Sequence, residues 1–246
     1  MFTIAHLTDT HFGNRPEVAD RNRRVVEAVT ELAPDVVVVT GDIAEHGTAQ
    51  EYAEARDVLG ALAGSLVWCP GNHDVRAAFA EAIFGATATE PLDVVFEVGG
   101  FRFLMLDSLV PAVDGERVDH GELSDASLDW LDAELTASSL PSFVCLHHPP
   151  AALGIDWIDE IRLRTPERLE AILAAHQHVL ATLVGHFHTA AASTFARRPL
   201  LVGGGVSSTV PLPAEGRGRI WNDAPPSYAV HMVTDDLRVI THWRSL

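Results

Sequence analysis

The sequence predicts an α/β fold in which two mixed β-sheets pack together and are flanked by helices. Strand-length apolar runs alternate with helix-length segments in the first third of the chain, and later runs are paired across short turns, as in antiparallel hairpins. The 246 residues are 47% hydrophobic and contain no clear linker or internal repeat. We therefore expect one domain over 1–246, with a motif-bearing core at 1–203, a long loop at 204–226 and a C-terminal hairpin at 227–246.

The first third of the chain predicts parallel strands joined by right-handed helical crossovers. The continuous valines of DVVVVT are typical of a strand in a sheet that is covered on both faces. The expected elements are a strand at 2–8, a helix at 21–32 between Asp20 as its cap and Pro34, a strand at 35–40, a helix from the Thr48–Glu51 capping box to about 63, a strand at 65–69 and a helix at 76–84.

The remaining elements are predicted by turn residues and apolar spacing. Gly99-Gly100 indicates a hairpin, and Ser124 is a natural N-cap for a helix with Leu128, Leu131 and Leu135 on one face. The expected elements after that hairpin are helices at 124–138 and 166–176, strands at 142–147, 179–186, 193–196 and 200–204, and a hairpin formed by 228–234 and 237–243.

Composition excludes several classes of protein. A net charge of −17 argues against a broad nucleic-acid surface, because such a surface needs clustered basic residues. No apolar stretch approaches the ~20 residues of a membrane span, and the N-terminus lacks the features of a signal peptide, so we expect a cytoplasmic protein without a membrane anchor. Cys69 and Cys145 lie in apolar runs and are expected to be buried free thiols.

Polar clusters follow the predicted strands, at the point where each strand ends. These clusters are DTH at 9–11, GD at 41–42, GNHD at 71–74, HH at 147–148 and GHFH at 185–188. Ligands of open α/β sheets bind beyond the carboxyl ends of the strands, so we expect the clusters to converge in space.

The residue types in these clusters suit a transition-metal centre. Carboxylate, amide and imidazole groups together favour Fe, Mn, Zn or Co over Ca. Asp9 and His11 are two residues apart and would point to the same side of an extended segment, as would His186 and His188. Asp42 has two carboxylate oxygens and can bridge two divalent or trivalent ions. The candidate ligands are Asp9, His11, Asp42, Asn72, His147, His186 and His188.

The other histidines have no such context. We interpret them as ordinary core or surface residues; they are His6, His46, His120, His176, His178, His231 and His242.

The ordered motifs DTH, GD, GNHD, HHP and GHFH resemble those of the calcineurin-like metallophosphoesterases over about 9–188. Within that superfamily, HLTDTHF, GNHD, HHPP and GHFH are similar to the class III cyclic-nucleotide phosphodiesterases and the related glycerophosphodiesterases. The chain is unlike the Ser/Thr protein phosphatases, which carry Asp-Arg-Gly where this chain has EHG and Glu where it has Asp74. The resemblance implies the metallophosphoesterase fold, a four-layer α/β/β/α sandwich.

The resemblance also implies roles for the candidate residues. His73 would face the substrate together with Asn72 and His188, and His148 would lie behind the ligand His147. Asp9, His11, Asp42 and His188 would hold the first ion, and Asp42, Asn72, His147 and His186 the second.

The residues of GNHD suggest a catalytic pair. Asp74 could orient the ring of His73 by a hydrogen bond, as carboxylates do for working imidazoles. His73 would then either protonate the leaving alkoxide or stabilise the developing charge, and the sequence leaves both roles open.

The leading functional hypothesis is a dinuclear metal-dependent phosphodiesterase acting on a small-molecule phosphodiester, with a 3′,5′-cyclic nucleotide such as cAMP as the substrate. One alternative is hydrolysis of a glycerophosphodiester or another phosphoester. A further alternative is a non-catalytic interaction module, although such modules usually lack ligands and here every motif is present. No nucleic-acid polymer or membrane partner is expected, and a homodimer is left open.

The loop at 204–226 is unusually long and rich in Gly and Pro, and it carries Arg217, Arg219 and Trp221. One interpretation is a surface excursion or a dimer contact. The other is a wall or lid over the metal site, in which an arginine pairs with a phosphate and Trp221 stacks on a base.

Overall fold

The computed structural model describes residues 1–62 and 65–246, and its strands form two mixed sheets. The strands are β1 Phe2–Leu7, β2 Val36–Thr40, β3 Ser65–Cys69, β4 Val94–Val98, β5 Phe101–Met105, β6 Ser142–Cys145, β7 Val179–Val184, β8 Ala191–Phe195, β9 Arg198–Val202, β10 Ser227–Val233 and β11 Val239–Ser245. The helices are α1 Pro16–Leu32, α2 Ala49–Leu59, α3 Arg76–Phe79, α4 Asp125–Ala137, α5 Asp156–Asp159 and α6 Glu167–Ala175.

Each sheet is built around a parallel centre. The first sheet has the order β11-β10-β1-β2-β3, in which β1, β2 and β3 are parallel and β10 and β11 form the expected antiparallel hairpin. The second has the order β4-β5-β6-β7-β9-β8, with β5, β6, β7 and β9 parallel. Parallel strands require crossovers, and helices supply several of them.

Three buried clusters define a four-layer sandwich. Between the two sheets, residues such as Val38 and Phe143 are fully buried. On the outer face of the first sheet, Val25 of α1 and Tyr52 of α2 belong to a second cluster, and Leu131 of α4 belongs to a third on the outer face of the second sheet. Burial of apolar area on both faces of each sheet accounts for the continuous apolar runs of the central strands. The α/β/β/α architecture is therefore confirmed.

The two cysteines lie in the layer between the sheets. Cys69 and Cys145 are buried free thiols, as predicted. Burial raises the pKa of both thiols, so they remain uncharged. They contribute apolar packing to the core.

Helix α1 begins earlier than the sequence predicted. It starts at Pro16, whose fixed φ suits the first helical turn, and Arg15 is the N-cap residue. Asp20 is not a cap: it lies within the helix and accepts a hydrogen bond from Arg23 on the exposed face. The predicted cap was wrong because an acidic residue in the first turns of a helix looks the same in sequence as a capping residue.

Two other boundaries differ in detail. The Thr48 capping box is present, but α2 ends at Leu59 with Gly60 as its C-cap, and residue 63 lies outside the described part of the chain. The segment predicted as one helix at 76–84 is α3 followed by a π-helical turn over Ala80–Phe84. Within the ranges the structure describes, every helix is too short or too polar to span a membrane.

The turns at the strand ends and in the long loop are well defined. Gly99 and Gly100 adopt φ of 58° and 83°, which a two-residue hairpin turn requires and which glycine adopts without strain. In the loop at 204–226, Thr209 and Trp221 form an isolated antiparallel bridge. The loop is therefore folded back on itself.

Candidate metal centre

The five strand-end motifs meet at one edge of the sandwich, where the two sheets adjoin. Within the first sheet, the Asp9 amide donates to the Gly41 carbonyl at 3.2 Å. Within the second, the Gly185 amide donates to the His147 carbonyl at 3.0 Å. The His147 ring joins the sheets, because its Nδ1 lies 2.7 Å from the carbonyl oxygen of Thr40. The expected convergence of the motifs is confirmed.

Most of the candidate ligands have a left-handed backbone. Such conformations are uncommon outside glycine, although Asp and Asn tolerate them best, and they cluster at functional sites. They turn the chain sharply as it leaves each strand, so that nearby side chains face the same space. The residues concerned are Asp9 at φ 54°, His11 at 46°, Asp42 at 50°, His186 at 67° and His188 at 53°.

This geometry corrects one step of the sequence argument. Asp9 and His11 do face the same space, and so do His186 and His188. They do so through left-handed turns, since all four residues have a positive φ, and not through the alternation of an extended segment.

One group of ligand atoms surrounds a point next to β1. The Nε2 atoms of His11 and His188 are 3.3 Å apart, and His188 Nε2 is 3.3 Å from Asp9 Oδ1. His11 Nε2 is also 3.5 Å from Asp42 Oδ2. Four potential ligands therefore converge, and all are buried or nearly so.

A second group lies on the other side of Asp42. The Oδ1 atom of Asn72 is 3.1 Å from His147 Nε2 and 3.0 Å from His186 Nδ1. His147 Nε2 is 3.3 Å from Asp42 Oδ2. The same carboxylate oxygen thus faces both groups, which is the placement that a bridging ligand needs.

Hydrogen bonds orient the imidazoles from behind. His11 Nδ1 lies 2.8 Å from the Glu45 carboxylate, and His147 Nδ1 faces the Thr40 carbonyl described above. His188 Nδ1 is 3.0 Å from the Ser208 hydroxyl, and the Ser208 carbonyl lies at 3.3 Å. A carboxylate or carbonyl oxygen can only accept, so Nδ1 of His11 and His147 carries the hydrogen and the Nε2 lone pair is directed into the centre.

The polar atoms of the centre indicate cation binding. Both carboxylate oxygens of Asp9 are buried without a hydrogen-bond partner among the described residues. Unpaired buried polar atoms are costly, and electron-pair donors pointing at one another repel unless a cation lies between them. The residues present therefore fit a metal centre.

Charges within the centre shift several pKa values. Burial lowers the pKa of His186 and His188, which keeps these rings neutral, as a metal ligand must be. Burial also opposes charge on His147, but the Asp42 carboxylate outweighs it and raises the pKa of His147 to about 9. A metal ion at this position must therefore displace the proton from Nε2 of His147. Asp42 shows the reciprocal effect: burial would raise its pKa, but His147 and His73 hold it well below the usual range.

The structure corrects the role expected for Asp74. Its carboxylate accepts from the backbone amides of Ile43, Ala44 and Gly71 and from the Tyr52 hydroxyl at 3.0 Å, so it fixes the GD and GNHD turns instead of the His73 ring. Burial, reinforced by the charge of Asp42, raises the pKa of Asp74 to about 6.

The ring of His73 is held by other residues. Its Nδ1 donates to the backbone carbonyl of Glu45 at 3.0 Å, and the ring packs edge-on against His11 at 4.5 Å between centroids. Its amide donates to Asp42 Oδ1 at 2.9 Å. The ring lies beside the centre, where a substrate-facing residue is expected.

Other sequence interpretations can be placed in the same way. His148 lies behind the centre, with Nδ1 2.8 Å from the Ser108 hydroxyl and Nε2 3.2 Å from the Asp119 carbonyl, so both ring nitrogens are engaged. Gly71 has no side chain, and this leaves room for the Asp42 carboxylate, because a Cβ at position 71 would overlap Asp42 Oδ1.

Sequence reasoning missed Glu45, Arg117 and Asp119. Glu45 stands in the GDIAEHG cluster and could have been noticed there, since it is a carboxylate beside a metal motif. Arg117 and Asp119 lie in a segment with no motif, so only their position in space reveals them.

Two adjoining cavities open at the centre. The smaller, of about 170 Å³, contains Asp42, Asn72, His186 and His188 together with Trp157. The larger, of about 600 Å³, adjoins it at Asn72, His73 and Arg117. Its remaining lining is largely apolar and includes Val75, Ala77, Ala88, Leu109, Pro111 and Ala112.

The long loop contributes to the smaller cavity. Val210 and Ile220 line it, and Arg219 lies over the ring of Trp157 at 5.4 Å. Arg217 instead stacks on Trp221 at 3.8 Å within the loop. Two residues of the loop therefore border the smaller cavity.

The chain is similar to known proteins over most of its length. A family model described as Calcineurin-like phosphoesterase matches residues 2–180. The "Probable cyclic nucleotide phosphodiesterase" of Rhodococcus erythropolis is 32% identical over 234 residues, covering 89% of this chain and 76% of that protein. The "Glycerophosphodiester phosphodiesterase GpdQ" of Enterobacter lignolyticus is 31% identical over 243 residues, covering 93% of this chain and 86% of that protein.

Solved structures share the architecture. A dimetal phosphatase from Danio rerio superposes with a TM-score of 0.74 at 16% identity, covering 98% of each chain. At that identity the likeness concerns the fold, and it agrees with the sandwich described above.

Proposed function

Because the chain belongs to the calcineurin-like phosphoesterase family, we propose that it hydrolyses a small phosphodiester at the centre around Asp42, with a 3′,5′-cyclic nucleotide such as cAMP as the substrate. It is a metal-dependent phosphoester hydrolase. The observation that carries the proposal is the position of Asp42 Oδ2 between two groups of converging ligands, 3.5 Å from His11 Nε2 and 3.3 Å from His147 Nε2.

Each group of ligands would hold one ion. Asp9, His11, Asp42 and His188 would hold the first, and Asp42, Asn72, His147 and His186 the second. The mixture of imidazole, carboxylate and amide donors suits Fe, Mn, Zn or Co. When bound, such a pair of ions supplies an activated water, polarises the phosphoryl oxygens and neutralises charge in an in-line displacement.

His73 would act on the substrate. The Glu45 carbonyl occupies its Nδ1, so Nε2 is the nitrogen left for the substrate. Asn72 and His188 line the smaller cavity together with it and would contact the phosphate. His73 can protonate the leaving oxygen when its ring is charged, or it can stabilise the developing charge.

The two cavities suit a diester with a bulky organic part. The smaller one has room for a phosphoryl group beside the ligands, and the larger apolar one can take a nucleoside. A glycerophosphodiester is the second candidate, favoured by the 31% identity to a protein named for that activity.

The deciding experiment combines metal analysis with a substrate panel. We expect about two ions per chain, hydrolysis of bis(p-nitrophenyl) phosphate with added Mn, and faster turnover of cAMP than of glycerophosphodiesters. Faster glycerophosphodiester turnover would favour the second candidate. No turnover of any diester by the metal-loaded protein would leave a non-catalytic interaction module.

The loop at 204–226 is proposed as a wall of the substrate site, supported by the positions of Val210 and Ile220. Shortening it between Pro213 and Gly218 should raise KM for the natural substrate more than for a small artificial diester, with the metals retained because no ligand lies there. Equal effects on both substrates would favour a surface excursion or a homodimer contact, and sedimentation analysis of the variant separates these two.

The enzyme is proposed to act in the cytoplasm. Its two cysteines are free and buried, as expected for a reducing compartment. Cell fractionation with detection of the native protein tests this placement.

A further inference from the structure

Arg117 lies where the two cavities adjoin. It lines the smaller cavity with the candidate ligands and the larger cavity with the apolar side chains. In the described parts of the chain, it is the one arginine that lines both. Its side chain is 46% exposed, so it has freedom to move within the cavities.

The contacts of Arg117 leave part of its guanidinium without a suitable acceptor. Nε donates to Asp119 Oδ1 at 2.6 Å. At the other end, NH1 lies 3.0 Å from His73 Nδ1. When that nitrogen donates to the Glu45 carbonyl, 3.0 Å away, it has no lone pair for Arg117, and NH2 of Arg117 has no hydrogen-bond partner among the described residues. The guanidinium therefore faces the cavities with N–H groups that an anion would satisfy.

The neighbouring arginine is different. Arg76 also lines the larger cavity, but it is buried and makes a two-point ion pair with Asp107, at 2.6 Å and 3.2 Å. Its NH2 also donates to the Leu109 carbonyl at 2.5 Å. The guanidinium of Arg76 is engaged in contacts within the fold, whereas that of Arg117 keeps N–H donors directed at the two cavities.

We propose that Arg117 is a substrate-binding residue that donates hydrogen bonds to a non-bridging phosphoryl oxygen, with the organic group of the diester directed into the larger cavity. This inference rests on the proposed function. Guanidinium–phosphate hydrogen bonds are charge-assisted and geometrically selective. In a chain of net charge −17, a cation at this junction also attracts an anionic substrate locally.

The test compares Arg117→Ala and Arg117→Lys with the control Arg168→Ala. Arg168 is exposed on α6, where it pairs with Asp125 and Asp129 of α4, and it lines neither cavity. We expect Arg117→Ala to raise KM for bis(p-nitrophenyl) phosphate by about 10–100-fold, with a smaller change in kcat. Metal content and Tm should stay at the wild-type values, Arg117→Lys should recover part of the loss, and Arg168→Ala should behave as the wild type.

Product inhibition provides a second readout. The inhibition constant of inorganic phosphate should rise for Arg117→Ala in parallel with KM. A KM within about twofold of the wild type, or a Lys variant no better than Ala, would overturn the proposal. Loss of metal in Arg117→Ala would also overturn it, by showing a structural role.

Failure of the proposed function can be told apart from failure of this inference. If the wild type cleaves bis(p-nitrophenyl) phosphate but not cAMP, the cyclic-nucleotide assignment fails while the Arg117 comparison still decides. If no diester is cleaved, equilibrium binding of inorganic phosphate to the Mn-loaded wild type and Arg117→Ala decides: weaker binding by the variant supports the inference, and equal binding rejects it.

Discussion

Two groups of buried histidines in this protein differ in how their ring nitrogens are satisfied. One is the ligand cluster at the sheet edge, formed by Asp9, His11, Asp42, Asn72, His147, His186 and His188. The other is the pair His6 and His231, on the adjacent strands β1 and β10. Among these residues His188 is half-buried and the others are buried, so burial does not distinguish the two groups.

In the His6–His231 pair, every ring nitrogen has a partner. His6 Nε2 is 2.8 Å from the Thr40 hydroxyl, and His6 Nδ1 is 3.2 Å from His231 Nε2. His231 Nδ1 is 2.9 Å from the Thr241 hydroxyl. The pair forms a closed hydrogen-bonded chain, which is how a core accommodates polar side chains.

In the ligand cluster, donors of electron pairs face one another. Asp9 has two unpaired oxygens, and the Nε2 atoms of His11 and His188 are 3.3 Å apart. These two groups therefore differ at their inner atoms: the candidate ligands include buried atoms without a partner, whereas His6 and His231 are hydrogen-bonded at both ring nitrogens.

The largest expected effect is that of removing the shared carboxylate. Asp42→Ala should lower kcat by roughly 10³-fold or more and release both ions. Each group of ligands would lose a member, and each ion would lose the carboxylate that positions it beside the other ion. Metal analysis and turnover of bis(p-nitrophenyl) phosphate measure this. His231→Gln is the matched control and should keep both metals and activity at neutral pH. A variant of Asp42 with two bound ions and near-normal turnover would disprove the bridging role.

The next effect concerns His73, which lies beside the metal centre but is not a candidate ligand. His73→Ala should keep the metals and lower kcat by about 10²–10⁴-fold for a poor leaving group. The loss should be smaller for a p-nitrophenolate leaving group, which scarcely needs a proton. If good and poor leaving groups lose equally, His73 stabilises charge and does not act as an acid.

A smaller effect is expected behind the cluster. Glu45→Ala removes the carboxylate that orients His11, and it should weaken metal binding by about 10–100-fold while the protein stays folded. Glu45→Gln keeps an acceptor for His11 Nδ1 and should bind metal more tightly than the Ala variant. Competition with a chelator gives both affinities. Equal affinities in wild type and Ala variant would show that His11 needs no such support.

The smallest effect is on the pH dependence of stability and concerns the His6–His231 pair. Burial lowers the pKa of His231 to about 3, so the folded protein disfavours its protonation. The unfolded pKa is about 6.5, so stability from this group is complete above that pH and is lost as the pH falls towards 3. By pH 5.5 the loss should be roughly 1 kcal/mol.

The variant His231→Gln lacks this titration. We expect the difference in unfolding free energy between wild type and variant to narrow as the pH falls from 7 to 5.5. The titrations of the candidate metal ligands are the same in both proteins, so they do not contribute to this difference. Urea unfolding at both pH values measures it. A difference independent of pH would mean that protonation of His231 is not disfavoured in the folded state.

The convergence of the ligand cluster could be predicted from the sequence for a local reason. Each motif directly follows an apolar strand, and the carboxyl ends of parallel strands share an edge, so position along the chain determines position in the fold. The same local patterns predicted the capping box at Thr48 and the hairpin at Gly99. They failed at Asp20, because an acidic residue before an amphipathic run suits either a cap or a first turn.

The sequence by itself therefore determined which residues gather at the sheet edge and which chemistry they suit. Tertiary structure alone decided that Asp74 hydrogen-bonds to the backbone of the turns and not to His73. It also decided that His6 and His231 hydrogen-bond to each other and that Arg117 lies where the two cavities adjoin. Those outcomes depend on contacts between segments distant in the chain. A hydrogen bond forms with whichever partner packing brings within about 3 Å, and no local pattern records that choice.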